Sequence, residues 1–268
     1  MDAVRRRFSL TAWIWLLVAA AYFLIPLIAT LIFSLKDDQT GKCCSLGAYG
    51  FVLHDPQFWT TIRVSFVLAL ETIAISLLLF VPTIYWVHLK LPRLRPVLGF
   101  LALIPFVVPP IVLVVGLLNL YKGSPGWFYA QPYGFLVAAY VILAFPYMFF
   151  ALDAGFRSID LHTLTEASQS LGASWRTTLG RVILPNIRVA ALGGSFLTLA
   201  IVMGEFTIAS LSAFNTFPTY IQLINESKAY EAAALSLMSF MITWAAMLAL
   251  LFVGRGRPGR PVQVAATR

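Results

Sequence analysis

Between two apolar stretches of this chain lies the polar run Glu166-Ala167-Ser168-Gln169-Ser170-Leu171-Gly172, followed after nine residues by Val182-Ile183-Leu184-Pro185. A carboxylate beside two small residues, closed by a glycine of the kind that ends helices, is suited to docking rather than to bond making. Three further acids lie within or near apolar stretches: Glu71, Asp153 and Glu205. At membrane depth an ionisable group is costly, so it faces a path or a partner, or is protonated or hydrogen-bonded internally. Glu205 stands in Met203-Gly204-Glu205-Phe206, where Gly204 permits close approach of backbone or ligand; Glu205, Gly204 and Glu71 are the candidate path residues. Asp153 precedes Arg157 by four positions, the spacing of a helical ion pair. Two path-facing carboxylates with no Lys or Arg at depth would favour a cationic cargo. His54, His88 and His162 are isolated in loops or at a span end, and neither H-E-x-x-H nor G-x-S-x-G occurs, so no catalytic residue and no metal site is expected.

The elements that must position these residues are apolar helices. The 268 residues are 60% hydrophobic and 11% charged, against about 25% charged in soluble domains. Six stretches approach or exceed the roughly 20 residues a helix needs to cross the hydrocarbon: Thr11–Leu35, Val64–Val87, Val97–Leu120, Gly134–Leu152, Val189–Ala213 and Ala232–Val253. None alternates as a barrel strand would. The net charge of +8 sorts by loop, which argues for topology and against nucleic acid. One side holds Arg5, Arg6, Arg7, Lys90, Arg93, Arg95, Arg157, Arg176, Arg181, Arg188, Arg255, Arg257, Arg260 and Arg268. The other holds Lys36, Lys42, Lys122 and Lys228, with Arg63 at a span mouth. Both termini are therefore expected in the cytoplasm. The domain reading is a cytoplasmic N-terminus over 1–10, a six-helix membrane domain over 11–253 and a disordered cytoplasmic tail over 254–268. The first stretch is longer than a signal-peptide core and is expected to stay.

The outer loops are short. Residues 36–58 read as irregular, and Gly123-Ser124-Pro125-Gly126 is a turn signal. Cys43 and Cys44 are adjacent, a spacing that bridges only with strain, so two thiols or a labile pair without function are expected. Trp13, Trp15, Trp59, Trp86, Trp127 and Tyr133 fall at span ends, as headgroup-level anchors do. Pro26, Pro82, Pro105, Pro109, Pro110 and Pro146 fall inside spans, where each removes a backbone donor and favours a kink.

The inner segment 154–188 is far longer than a connection between antiparallel helices requires. Asp160 is a candidate N-cap, with Thr163-x-x-Glu166 as an alternative capping box. Leu161, Leu164, Ser168 and Leu171 fall on one face of the helix beyond it, with Ala167 beside them, and Gly172 ends it. A second short helix is expected from Ser174 to Arg181, closing near Pro185.

The spacing Glu166-Ala167-Ser168, Gly172, Val182, Leu184-Pro185 resembles the EAA loop of binding-protein-dependent ABC importer permeases, with Ser168 for the second alanine and Val182 for isoleucine. Phe23-Leu24-Ile25-Pro26, Phe33-Ser34-Leu35, Ile104-Pro105 and Val108-Pro109-Pro110 extend the resemblance along nearly the whole chain. It implies an all-α polytopic fold of the type I ABC importer permease kind, in a bacterial inner membrane. It also implies a non-enzymatic subunit that forms half of a path beside a second permease, expected to be a paralogue. Further partners would be a cytoplasmic ATPase dimer, an extracytoplasmic solute-binding protein and membrane lipid. Glu166, Ala167, Ser168, Leu171, Gly172, Leu184 and Pro185 would couple to the ATPase. The chain has no G-x-x-x-x-G-K-[ST] loop, so no cofactor is expected here, and ATP with Mg would sit on the partner. Gly204-Glu205-Phe206 and Phe217-Pro218-Thr219-Tyr220 most resemble spermidine and putrescine permeases, with ferric ion, thiamine and sulfate importers as alternatives. An ion channel or a membrane scaffold, the rival classes, would leave the Glu166 to Pro185 spacing unexplained.

Overall fold

The computed structural model describes residues 10–36, 44–129 and 131–254. The expectations for residues 1–9, for Cys43 and its pairing, and for the tail from Arg255 onward lie outside them. Among the described residues all regular structure is helical. They fall into two compact units, one within Met1–Trp59 and Tyr220–Met241, the other within Thr60–Thr219 and Ile242–Arg268.

Four helices are long and apolar enough to cross a membrane unbroken: α1 (Leu10–Ser34), α3 (Pro56–Lys90), α7 (Pro132–Arg157) and α14 (Ala229–Gly254). At 1.5 Å per residue, the 35 residues of α3 reach about 50 Å, well past a hydrocarbon core of about 30 Å. Pro26, Pro82 and Pro146 sit inside these helices without ending them.

The third expected span is not one helix. It divides into α4 (Arg95–Val107) and α5 (Pro110–Tyr121), bent by 103°. Val108 precedes a proline, which disfavours the helical region, and it lies at φ −83°, ψ 119°; Pro109 is next, at φ −58°, ψ 140°. Two successive extended residues turn the chain. The fifth span is also corrected: α11 (Arg188–Gly204) stops before Glu205, and a separate short helix, α12 (Thr207–Leu211), takes up the rest. If the α4–α5 pair is counted as one span, and the helical segment Trp175–Asn186 with α11 as another, the total reaches six.

In the first unit the outer loop expected to be irregular contains α2 (Gly47–His54). Tyr49 Oη lies 2.8 Å from Ser34 Oγ. Lys228 Nζ stands 3.6 Å above the Phe51 ring, a cation–π contact. Asp55 Oδ2 accepts a 2.6 Å hydrogen bond from the Tyr220 hydroxyl in α13 (Phe217–Asn225). Burial, and then the Asp55 carboxylate, pushes that hydroxyl above the ordinary tyrosine range.

In the second unit α7 is a largely buried helix, its inward residues including Leu136, Tyr140, Met148, Leu152 and Phe156. The single turn α6 (Gly126–Tyr129) precedes it, where a turn was expected. α11 lies along α7 at Gly155, where an added Cβ would collide with Ala190 and stand 3.4 Å from Ile187. Close van der Waals packing holds this contact. Nearer the basic end of α3, a core joins Val81, Ile84 and Tyr85 with Ala102, Phe149, Phe156, Leu161, Ile183 and Ile187.

Candidate functional site

The polar segment after α7 forms a short, firmly held structure. Asp160 begins α8 (Leu161–Ser170): its Oδ1 accepts from the Thr163 amide at 3.2 Å and its Oδ2 from the Thr163 hydroxyl at 2.7 Å. The alternative capping box from Thr163 to Glu166 therefore does not form, because Thr163 is itself the capped residue. These two bonds hold the Asp160 carboxyl below its ordinary pKa.

The helix has two distinct faces. Leu161, Thr165 and Ser168 are buried, while Glu166, Ala167, Gln169 and Ser170 are exposed. The inner face is tied down by polar bonds: Tyr85 Oη donates to Thr165 Oγ1 at 3.4 Å, and Ser168 Oγ lies 2.7 Å from Thr178 Oγ1. Ser168 is thus turned away from Glu166 and Ala167. Leu171, expected on the buried face, is 90% exposed, because the helix ends at Ser170 and the chain leaves that face. Gly172 ends α8 at φ +81°, with its amide bonded to the Gln169 carbonyl at 2.8 Å and the Ala173 amide to the Ser168 carbonyl at 3.1 Å. That is the Schellman arrangement, and the left-handed φ is why a glycine stands there.

The second short helix is composite and runs further than expected. Ser174 caps α9 (Trp175–Thr177), a π-helical turn covers Thr178–Ile183, and α10 (Leu184–Asn186) comes next, with Leu184 and Pro185 exposed. A π turn adds a residue to the helical circuit and re-aims the chain beyond it. Here it buries Thr178 and Ile183 while α10 bends into α11 by 78° across Ile187. Leu161 and Ile183 face the shared core, and each contributes about 1.5–3 kcal/mol if removed from water. The segment is fastened to the core along one face.

Behind this segment, Asp153 is 3% exposed and accepts hydrogen bonds from one histidine and two arginines. His88 Nε2 donates to Oδ1 at 2.7 Å, Arg95 Nε to Oδ1 at 3.0 Å, and Arg157 to Oδ2. The expected pairing with Arg157 is present, but His88 is not isolated. His88 and Arg95 come from α3 and α4, far from Asp153 in sequence, and no local pattern announces them.

The candidate path residues occupy different surroundings. Glu205 is 8% exposed; its Oε1 accepts from the Ile208 amide at 2.8 Å and its Oε2 from the Ala209 amide at 3.3 Å. It therefore caps the first turn of α12, and a carboxylate at a helix N-terminus was a legible signal for that. The buried Tyr140 hydroxyl lies beside it without closing a hydrogen bond of normal geometry. A Cβ at Gly204 would meet nothing within 4 Å, so no intrachain approach requires glycine. Glu71 on α3 is half-buried.

Residues 83–255, more than half of the chain, match the family described as binding-protein-dependent transport system inner membrane component. A probable molybdenum ABC transporter permease of Haloferax volcanii is 30% identical over 57% of this chain and 59% of its own length. The molybdenum transport system permease ModB of Mycobacterium bovis and Mycobacterium tuberculosis is 29% identical over 76% of this chain and 84% of its own. These names give the expected polyamine cargo no support. Among solved structures, a bacterial ABC transporter that imports the acidic polysaccharide alginate shares the fold at TM-score 0.64 and 15% identity, covering 89% of this chain and 92% of that one. The same kind of transporter with its alginate-bound periplasmic protein gives TM-score 0.59 at 17% identity, covering 91% and 92%. With its bent apolar spans and its core-bound polar segment, this chain belongs to the family of binding-protein-dependent transport system inner membrane components, non-catalytic multi-pass permease subunits of ABC transporters.

Proposed function

We propose that this permease transmits the strokes of a cytoplasmic ATPase dimer through α8, with Glu166 and Ala167 entering the ATPase surface and Leu171, Gly172, Leu184 and Pro185 shaping the contact. The single observation that carries this reading is the division of α8. One face is bonded into the core through Thr165 and Ser168, while the other presents an exposed Glu166 with no hydrogen bond or ion pair among the described residues. A rigid arm with an unspent carboxylate suits force transfer: a push on its tip moves α3 and α7. ATP and Mg would be held by the partner, and Ser168 acts as an anchor rather than as a contact. A second permease chain completes the path, and a solute-binding protein delivers cargo to the outer side.

The cargo is a tetrahedral oxyanion of the molybdate type. Support comes from the cargo named for the relatives; the first-turn amides of α12 give Glu205 a structural role that needs no cationic cargo. A cationic cargo of the spermidine or putrescine kind is the second reading, favoured by Glu71, which is half-buried in a span and has no bonded partner among the described residues. Reconstitution with the ATPase and binding protein tests both. Molybdate should stimulate ATP hydrolysis and enter the vesicles, and spermidine should do neither. Stimulation by spermidine alone would reverse the cargo reading, and retained coupling in Glu166→Arg would remove α8 from its role.

A further inference from the structure

A groove of about 390 Å³ lies between the C-terminal half of α3 and the π turn, lined by Leu78, Val81, Pro82, Trp175, Arg176 and Gly180 among others. Its walls are apolar except at one end. There the Arg176 guanidinium stands 5.5 Å from the Trp175 ring centroid, with no carboxylate partner among the described residues. Trp86 and Trp175 approach to 6.4 Å between ring centroids beside it. The α3 wall belongs to a span, and Leu78 is 74% exposed. A Cβ at Gly180 would meet nothing within 4 Å, so that position leaves the floor open.

From this arrangement we propose that the groove holds an acyl chain of an anionic phospholipid, with the lipid phosphate on Arg176. Three observations converge on an amphiphile. α3 is long and apolar enough to cross a membrane, and an apolar groove open along such a span takes a flexible chain, whereas water would find few polar partners there. The tryptophan pair marks headgroup level, where indole rings settle. The one unpaired cation of the groove sits at that level, where a guanidinium meets phosphate with matching fork geometry. A lipid so placed touches both α3 and the coupling segment.

The test uses the full chain in its transporter assembly, extracted from membranes containing phosphatidylglycerol and phosphatidylcholine and examined by native mass spectrometry. One phosphatidylglycerol should be retained in preference to phosphatidylcholine. Arg176→Gln should lower that preference about fivefold, as expected for one basic side chain at a membrane surface, and Arg176→Lys should keep most of it. Gly180→Leu fills the floor and should displace both lipids, while Gly180→Ala, which meets no neighbour, should not. Equal retention of the two lipids by the unaltered protein, or unchanged retention in Gly180→Leu, would overturn the proposal. So would cross-linking of a Leu78→Cys variant to a second permease chain, which would make the groove a subunit contact.

Discussion

Glu166 on α8 and Glu205 at the end of α11 carry the same carboxylate into opposite settings. Glu166 is exposed on a helix whose other face is bonded to the core, and it spends none of its hydrogen-bonding capacity within the described residues. Glu205 is buried and gives each oxygen to a backbone amide of α12. Burying a charge costs several kcal/mol unless hydrogen bonds replace water, so Glu205 persists because a helix start needs what it offers. Among the described residues nothing comparable holds Glu166, which leaves it free for the partner contact proposed above. An acid in an apolar sequence is therefore not by itself a ligand site; the deciding point is whether its oxygens are already taken.

The sharpest way to break this contrast is charge reversal at the free acid. Glu166→Arg should abolish ATPase co-purification and transport, while the unfolding free energy stays within about 0.5 kcal/mol, the usual range for an exposed site. Normal transport by that variant would sink the contrast. Gly172→Val should also uncouple the ATPase, and should in addition destabilise the segment by about 1–3 kcal/mol, because a β-branched residue cannot sit at φ +81° without strain. Proteolytic nicking after Gln169 would report the loosened segment.

Asp153→Asn removes a buried charged acceptor from His88, Arg95 and Arg157 and should cost about 2 kcal/mol. That is below the usual penalty for a broken buried pair, since the Arg157 side chain is 59% exposed and can return to water. Thermal unfolding in detergent measures it. Glu205→Ala should lose about 1–2 kcal/mol through the missing cap, with cargo affinity unchanged; a change of affinity at constant stability would return Glu205 to the path. The smallest effect concerns Asp160. Its pKa is lower folded than unfolded, so its stabilisation is present above the ordinary carboxylate pKa and is lost as pH falls through the lowered value. Protection of the Thr163 amide, the ratio of its intrinsic to its observed hydrogen-exchange rate, should therefore fall on acidification from about pH 5, just above the ordinary carboxylate range, and much less so in Asp160→Asn, which still caps.

Much of this is legible along the chain because it is local. The apolar lengths, the Asp160 cap, the Gly172 stop and the Asp153–Arg157 spacing each depend on residues within a turn or two. The break after Val107 is legible too, in Val108-Pro109-Pro110, but it reads as a kink in one span, because proline alone does not say how far the chain turns. The burial of Ser168 depends on Thr178 and that of Thr165 on Tyr85 in another helix. Leu171 escapes the pattern because heptad spacing continues past the residue where a helix stops.

Hydropathy and charge sorting, read from single residues and their neighbours, were enough for a helical membrane protein with a polar, glycine-ended segment on its basic side. They suffice because the bilayer forces backbone groups to pair within each helix, so local composition decides the span. The tertiary structure alone decided which acids are spent and which are free. His88, Arg95 and Arg157 converge on Asp153, the α12 amides close on Glu205, and α8 turns Glu166 outward. Those outcomes rest on partners brought together by packing between helices, where distance along the chain carries no information about distance in space.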